Sequence, residues 1–219
     1  MEGLRLKFAV LLSGCGFADG SEIHEAVFCL QSLERNRIEA VCLAPNIFQT
    51  KVVNLVSNCE GESQRNILEE SARIVRGKIQ NLKNFDVSLI DGLVIPGGFG
   101  VALNLSNFAI AAQNIKVHTE VETLIRDCHR AGKPIGAVCI APVLLAKVLG
   151  QFSPVLTVGD NKEVEECLEA LGAKMKKCPQ GDCVVDHKNK LASSPAYMYE
   201  KTSLKDVSDG IERMIQALL

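Results

Sequence analysis

The sequence predicts an α/β fold built on a mainly parallel central sheet with helices on both faces. Three observations carry this. Phe8–Leu12, Ala40–Ala44, Gly92–Ile95 and Ile135–Val138 are apolar along their whole length, as strands covered on both faces must be. Segments with helical spacing of apolar residues lie between them. Three suggestive loops, Ser13–Gly20, Pro96–Gly100 and the elbow at Cys139, follow the first, third and fourth of these strands, where ligands bind in open parallel sheets.

In chain order, Phe8–Leu12 is the first strand and Ser13–Gly20 its loop. Ser21 to about Asn36 is a helix, with Ile23, Ala26, Val27, Leu30 and Leu33 on one face. Ala40–Ala44 is the second strand, stopped by Pro45-Asn46. Gln64–Val75 reads as a helix ending near Gly77, and Gly92–Ile95 as a strand closed by Pro96-Gly97-Gly98-Phe99-Gly100. Val117–Ala131 is a helix closed by Gly132. Ile135–Val138 then runs through Cys139 into a helix whose first turn accommodates Pro142. A helix over Lys162–Leu171, short strands near Cys183–Val185 and Leu191–Ser193, and a closing helix over Ser203–Leu218 complete the chain. Ser203 and Asp206 are spaced for a capping box. No repeat, low-complexity tract or linker interrupts residues 1–219, so one domain is expected.

Composition narrows the function. The 219 residues are 47% hydrophobic and 23% charged, with a formal net charge of −2. No basic run offers a nucleic-acid footprint. No segment approaches the roughly 18 apolar residues of a membrane span, and Met1–Lys7 leads into a strand without the apolar core of a signal peptide. The nine cysteines sit mostly within apolar runs, which suits free thiols in a reducing cytoplasm. A cytoplasmic location is therefore expected, with neither a nucleic-acid nor a membrane partner.

The strand–Cys139–helix junction is the sharpest local signal. It forces the cysteine into a tight elbow at a helix N-terminus, where thiolate is favoured and the pKa should fall below the ordinary value of about 8.5. A buried structural thiol ending a strand fits the same residues. Gly97 and Gly98 let backbone N–H groups approach a ligand as an oxyanion hole requires, although a tight turn also calls for glycine. Glu22 and Glu25 open the first long helix. They either complement its dipole behind a Ser21 cap or face Cys139 and share its proton, in which case the pair titrates as a unit. Ser13–Gly20 is one residue too long between glycines for a dinucleotide fingerprint, and no acidic residue follows the second strand. Cys178, Cys183 and His187 match no zinc spacing. No cofactor and no metal are expected.

Taken together, Leu12–Gly16, Asp19–Ala26, Arg65-Asn66, Pro96–Gly100, Asn104–Ser106, Gly132–Gly136, Cys139–Pro142 and Ser194–Met198 resemble class I glutamine-amidotransferase-like proteins. The branch is that of PfpI protease and the Parkinson-associated deglycase, and within it the enhancing-lycopene-biosynthesis family. The resemblance implies a flavodoxin-like three-layer sandwich, a reactive Cys139, a glutamate from the first helix (Glu25, or Glu22 one turn earlier) and a homodimer. It departs from the family pattern at Ile140, where PfpI-like members often carry histidine. No His-x-Glu pair lies in the last third of the chain, so glutaminase chemistry is not expected.

A thiol, a carboxylate and backbone donors remain. Thiolate addition to a small aldehyde gives a hemithioacetal whose oxyanion meets N–H groups of Gly97, Gly98 or Ile140, and a glutamate moves protons between the two carbons. The expectation is a cofactor-independent glyoxalase of lyase type acting on 2-oxoaldehydes, or a deglycase using the same thiol. The alternative is a non-catalytic redox sensor or regulator linked to isoprenoid biosynthesis, with Cys15 as resolving partner for Cys139.

Overall fold

Period-two alternation along each central strand divides the core into two layers. On the first strand, Phe8, Val10 and Leu12 pack to one side of the sheet while Ala9 and Leu11 pack to the other; in the third predicted strand Val94 joins the first group, and Leu93 and Ile95 the second. The computed structural model describes residues 5–61 and 63–219; Met1–Leu4, part of the N-terminal segment read above, lie outside the described residues. In chain order the elements are β1 (Lys7–Leu11), α1 (Ile23–Arg35), β2 (Glu39–Ala44), β3 (Val53–Asn54), β4 (Cys59–Glu60), α2 (Ile67–Ile74), β5 (Gln80–Asn81), β6 (Gly92–Ile95), α3 (Phe99–Leu103), α4 (Phe108–Ala111) and α5 (Thr119–Arg130). They continue with β7 (Ile135–Val138), α6 (Pro142–Leu149), β8 (Val155–Leu156), α7 (Lys162–Ala170), β9 (Lys174–Met175), β10 (Val184–Asp186), β11 (Leu191–Ser194) and α8 (Leu204–Ala217).

The main sheet has seven strands in the order β10-β11-β7-β6-β1-β2-β5. Every neighbouring pair is parallel except β10 with β11. Residues of α1 and α8 pack with Phe8 and Val10 on one face, and those of α5 and α6 with Leu93 and Ile95 on the other. This is the flavodoxin-like sandwich expected from the sequence. The short pairs β3–β4 and β8–β9 stand apart from it.

Helix ends follow their caps. Asn66 accepts from the N–H groups of Leu68 and Glu69, so α2 starts later than the sequence suggested. Ser203 and Asp206 form the reciprocal capping box at α8. At α1 the cap is Glu22, whose carboxylate accepts from the Glu25 N–H at 2.8 Å. Ser21, expected to cap, is instead buried with its Oγ accepting from the Ser13 N–H at 2.8 Å. It ties the loop after β1 to the start of α1.

Candidate active site

Four chain segments converge at the C-terminal ends of the parallel strands. The loop after β1 brings Phe17, the loop after β6 brings Gly98 and Phe99, the end of β7 brings Cys139 and Ile140, and the loop after β11 brings Tyr197 and Met198. Together with Glu22 and His24 from the start of α1, they surround a cavity of about 640 Å³.

Cys139 is where β7 stops being a strand. Its N–H donates to the Ser194 carbonyl at 2.9 Å, the last pairing with β11, and the Ala141 N–H then turns back to the Val138 carbonyl at 2.9 Å. Between them Cys139 adopts φ +59°, a left-handed conformation that costs a non-glycine residue of the order of 1–3 kcal/mol. The side chain is 8% exposed, and what it exposes lines the cavity.

Glu25 reaches the same point from the first turn of α1. It is 0% exposed, and its Oε2 accepts from the Gly97 N–H at 2.8 Å. Its Oε1 is buried without a hydrogen-bond partner. Gly97 is the spacer between acid and thiol. A Cβ built there would lie 2.5 Å from Cys139 Cβ and 2.6 Å from Glu25 Oε2, so only glycine lets the two groups meet. Gly98, at φ +97°, passes so close to the Gly20 carbonyl and the Glu22 N–H that no side chain fits there either.

These contacts assign the backbone donors differently from the sequence reading. The Gly97 N–H is committed to Glu25 and is not free for an oxyanion. The N–H groups of Gly98 and Ile140 face the Cys139 sulfur and favour its anion. Glu22 lies beside the pair, lining the cavity while its other role is to cap α1.

Electrostatics corrects the expectation of a depressed thiol pKa. Burial pushes the Cys139 thiol well above its ordinary value, and the neighbouring Glu25 adds to the rise. Helix α6 begins only at Pro142, behind an N-cap at Ala141, and the N–H groups near the sulfur do not offset the loss of water. Burial likewise raises Glu25, to about 8, with the charge of Glu22 adding to the effect; the N–H groups of Gly97 and Tyr197 and the Cys139 thiol pull the other way. Near neutral pH the pair therefore holds its protons, and each group's titration depends on the other's.

Two residues not singled out by the sequence reading complete the wall. His24 Nδ1 and Tyr197 Oη share a hydrogen bond of 2.8 Å, and His24 Nδ1 lies 3.6 Å from Glu22 Oε1. Burial raises the Tyr197 phenol, helped by Glu22 and Glu25. Cys15, by contrast, is absent from the cavity lining. Burial is the main cause of its raised pKa, and the charges that act on it are Glu70, Arg73, Asp19 and Arg65, a different set from that around Cys139. No group of His, Cys, Asp and Glu able to hold a metal occurs among the described residues.

The comparisons with known proteins agree with this fold. A human protein named glutamine amidotransferase-like class 1 domain-containing protein 3, mitochondrial, is 44% identical over 224 residues, covering 97% of this chain and 82% of its own length. The chain belongs to the family of glutamine amidotransferase-like class 1 domain proteins. That family also includes the ES1 proteins, of which the rat homologue is 43% identical over 98% of this chain and 84% of its own. The crystal structure of an Ehrlichia chaffeensis isoprenoid biosynthesis protein with an amidotransferase-like domain superposes with a TM-score of 0.90 at 39% identity, covering 97% of this chain and 98% of that one. No family model matches the sequence. The curated mammalian and fish relatives are named mitochondrial, which overturns the expected cytoplasmic location.

Proposed function

We propose that this amidotransferase-like protein is a cofactor-independent glyoxalase acting on 2-oxoaldehydes through Cys139, with deglycase activity as an extension of the same thiol chemistry. The observation that carries the reading is the contact of a buried, proton-holding carboxyl with a cysteine at a strained elbow, open on one side to a cavity. Ile140 follows Cys139 in place of a histidine, which disfavours glutamine hydrolysis. The mitochondrial names of the curated relatives make a mitochondrial setting part of the proposal.

The chemistry uses what these residues supply. As the thiol gives up its proton, sulfur bonds to the aldehyde carbon and the carbonyl oxygen takes up a proton, forming a hemithioacetal. The N–H groups of Gly98 and Ile140 lie where negative charge passes between sulfur and oxygen. Glu25 gives its own proton to that carbonyl oxygen while the thiol proton leaves to solvent; now a carboxylate, it removes the hydrogen from that carbon, giving an enediol, and returns a proton to the neighbouring carbon. The aldehyde carbon is oxidised to a thioester and its neighbour is reduced to an alcohol, so no external oxidant is needed. Water then cleaves the thioester, releasing a 2-hydroxy acid and restoring the thiol. The Tyr197–His24 pair sits on the cavity side, suited to pass protons to the second carbonyl oxygen.

The test is conversion of glyoxal to glycolate and of methylglyoxal to lactate in amine-free buffer. Wild type should turn over both, and Cys139→Ala neither. Equal rates for the two proteins would refute the reading.

A further inference from the structure

The cavity is far larger than a two-carbon substrate requires. Glyoxal fills on the order of 60–80 Å³, judged against the roughly 30 Å³ taken by one water molecule in the liquid. The space beside Cys139 is about 640 Å³, within the range of about 300–1,000 Å³ typical of sites for drug-sized ligands.

The walls are apolar. Phe17, Phe99, Phe108, Ile140, Val164 and Met198 reach it from separate segments, and Phe17 and Phe99 are more than half exposed at its mouth. No lysine or arginine occurs among the described lining residues, so nothing there would hold a phosphate or carboxylate. Several of the polar groups already have partners in the protein. Asn161 accepts from the Val164 N–H at the start of α7, Glu22 caps α1, and His24 and Tyr197 share their own hydrogen bond. A sugar or a charged tail would find few free partners, whereas an apolar group would cover surface that otherwise stays wet.

We infer that the aldehyde this site takes carries a bulky apolar substituent, aryl or branched alkyl, on the carbonyl next to the aldehyde. The inference rests on the glyoxalase reading and specifies its substrate class. The aldehyde carbon sits at Cys139, and the substituent extends between α3, α4 and α7. Ala109, on α4, lines the far side and is exposed, so a large residue there can occupy the cavity without disturbing the core.

Phenylglyoxal and methylglyoxal separate the possibilities. We expect kcat/KM for phenylglyoxal, normalised to each aldehyde's reaction with free N-acetylcysteine, to exceed that for methylglyoxal at least tenfold. Ala109→Trp should reduce this ratio about tenfold. Equal normalised values, or a ratio unmoved by Ala109→Trp, would overturn the inference while leaving the glyoxalase reading in place. Absence of turnover with every aldehyde would overturn the glyoxalase reading instead. In that event binding of acetophenone, an inert probe with the same aryl ketone, decides the matter by saturation-transfer NMR. A signal present in wild type and lost in Ala109→Trp upholds the apolar site, and no signal in wild type refutes it.

Discussion

Replacing Glu25 with glutamine tests the electrostatic centre of the site through stability alone, independently of any substrate. The carboxyl is fully buried and raised from its ordinary value of 4.5 to about 8. Between those limits the folded protein holds a proton that the unfolded chain has released. Stability is therefore complete below about pH 4.5 and declines as pH rises toward 8. At about 1.36 kcal/mol for each tenfold change in proton affinity, the loss between pH 5 and pH 8 is about 3.5 kcal/mol. A domain stable by about 5–15 kcal/mol would feel this strongly. Glu25→Gln keeps an oxygen to accept from the Gly97 N–H but cannot ionise. Urea unfolding at pH 5, 6.5 and 8 should show wild type losing stability across the series by about 3.5 kcal/mol more than the variant. The Cys139 thiol does not confuse the result, because its raised pKa keeps it protonated throughout. Parallel pH dependence in the two proteins would refute the assignment of a raised carboxyl.

Other perturbations read separate parts of the structure. Gly97→Ala should cost about 2 kcal/mol or more by overpacking and abolish glyoxal turnover, because the new Cβ strikes both Cys139 and Glu25; unfolding curves and rates check the two effects. Tyr197→Phe should lower kcat by about 10²-fold if its hydroxyl passes protons, with little change in thermal stability, and steady-state kinetics beside a melting curve will tell. Cys15→Ala should retain most aldehyde turnover, since Cys15 is absent from the cavity lining; loss comparable to Cys139→Ala would revive the redox-partner reading. Ser203→Ala removes the cap of α8 and should cost about 1 kcal/mol in urea unfolding.

The parts of the fold that were legible in the sequence are those whose residues announce burial. β1, β6 and β7 are apolar over nearly their whole length, and only a strand covered on both faces needs that. The two-residue strands β3, β4, β5, β8 and β9 carry no such signature, since their pairing is set by the loops around them. Cys139 at an elbow was legible because only Cys139–Ala141 separate the strand from the helix. The direction of its pKa was not. The sequence shows a helix start near the thiol but not the exclusion of water around it, and burial outweighs the few N–H groups. Ser21 looked like a cap by residue type, yet tertiary packing turned it toward Ser13 and left capping to Glu22. His24 and Tyr197 stand 173 positions apart, and no local pattern joins them. The one available hint was that His24 falls between the two candidate glutamates and Tyr197 lies in the loop after the strand paired with β7.

The dependence of Cys139 on β11 has a consequence for biosynthesis. Its backbone N–H is held by Ser194, and one wall of the cavity is Tyr197 and Met198. A chain emerging from the ribosome therefore exposes Cys139 more than fifty residues before the segment that bends it into shape. Until the C-terminal portion arrives, the cysteine is an ordinary thiol on an unfinished sheet edge, without its strained turn or its cavity. Translation order thus leaves the turn at Cys139 and the cavity beside it unformed until the protein is nearly whole. A fragment ending before Leu191 should carry a cysteine that alkylates like any exposed thiol and processes no aldehyde.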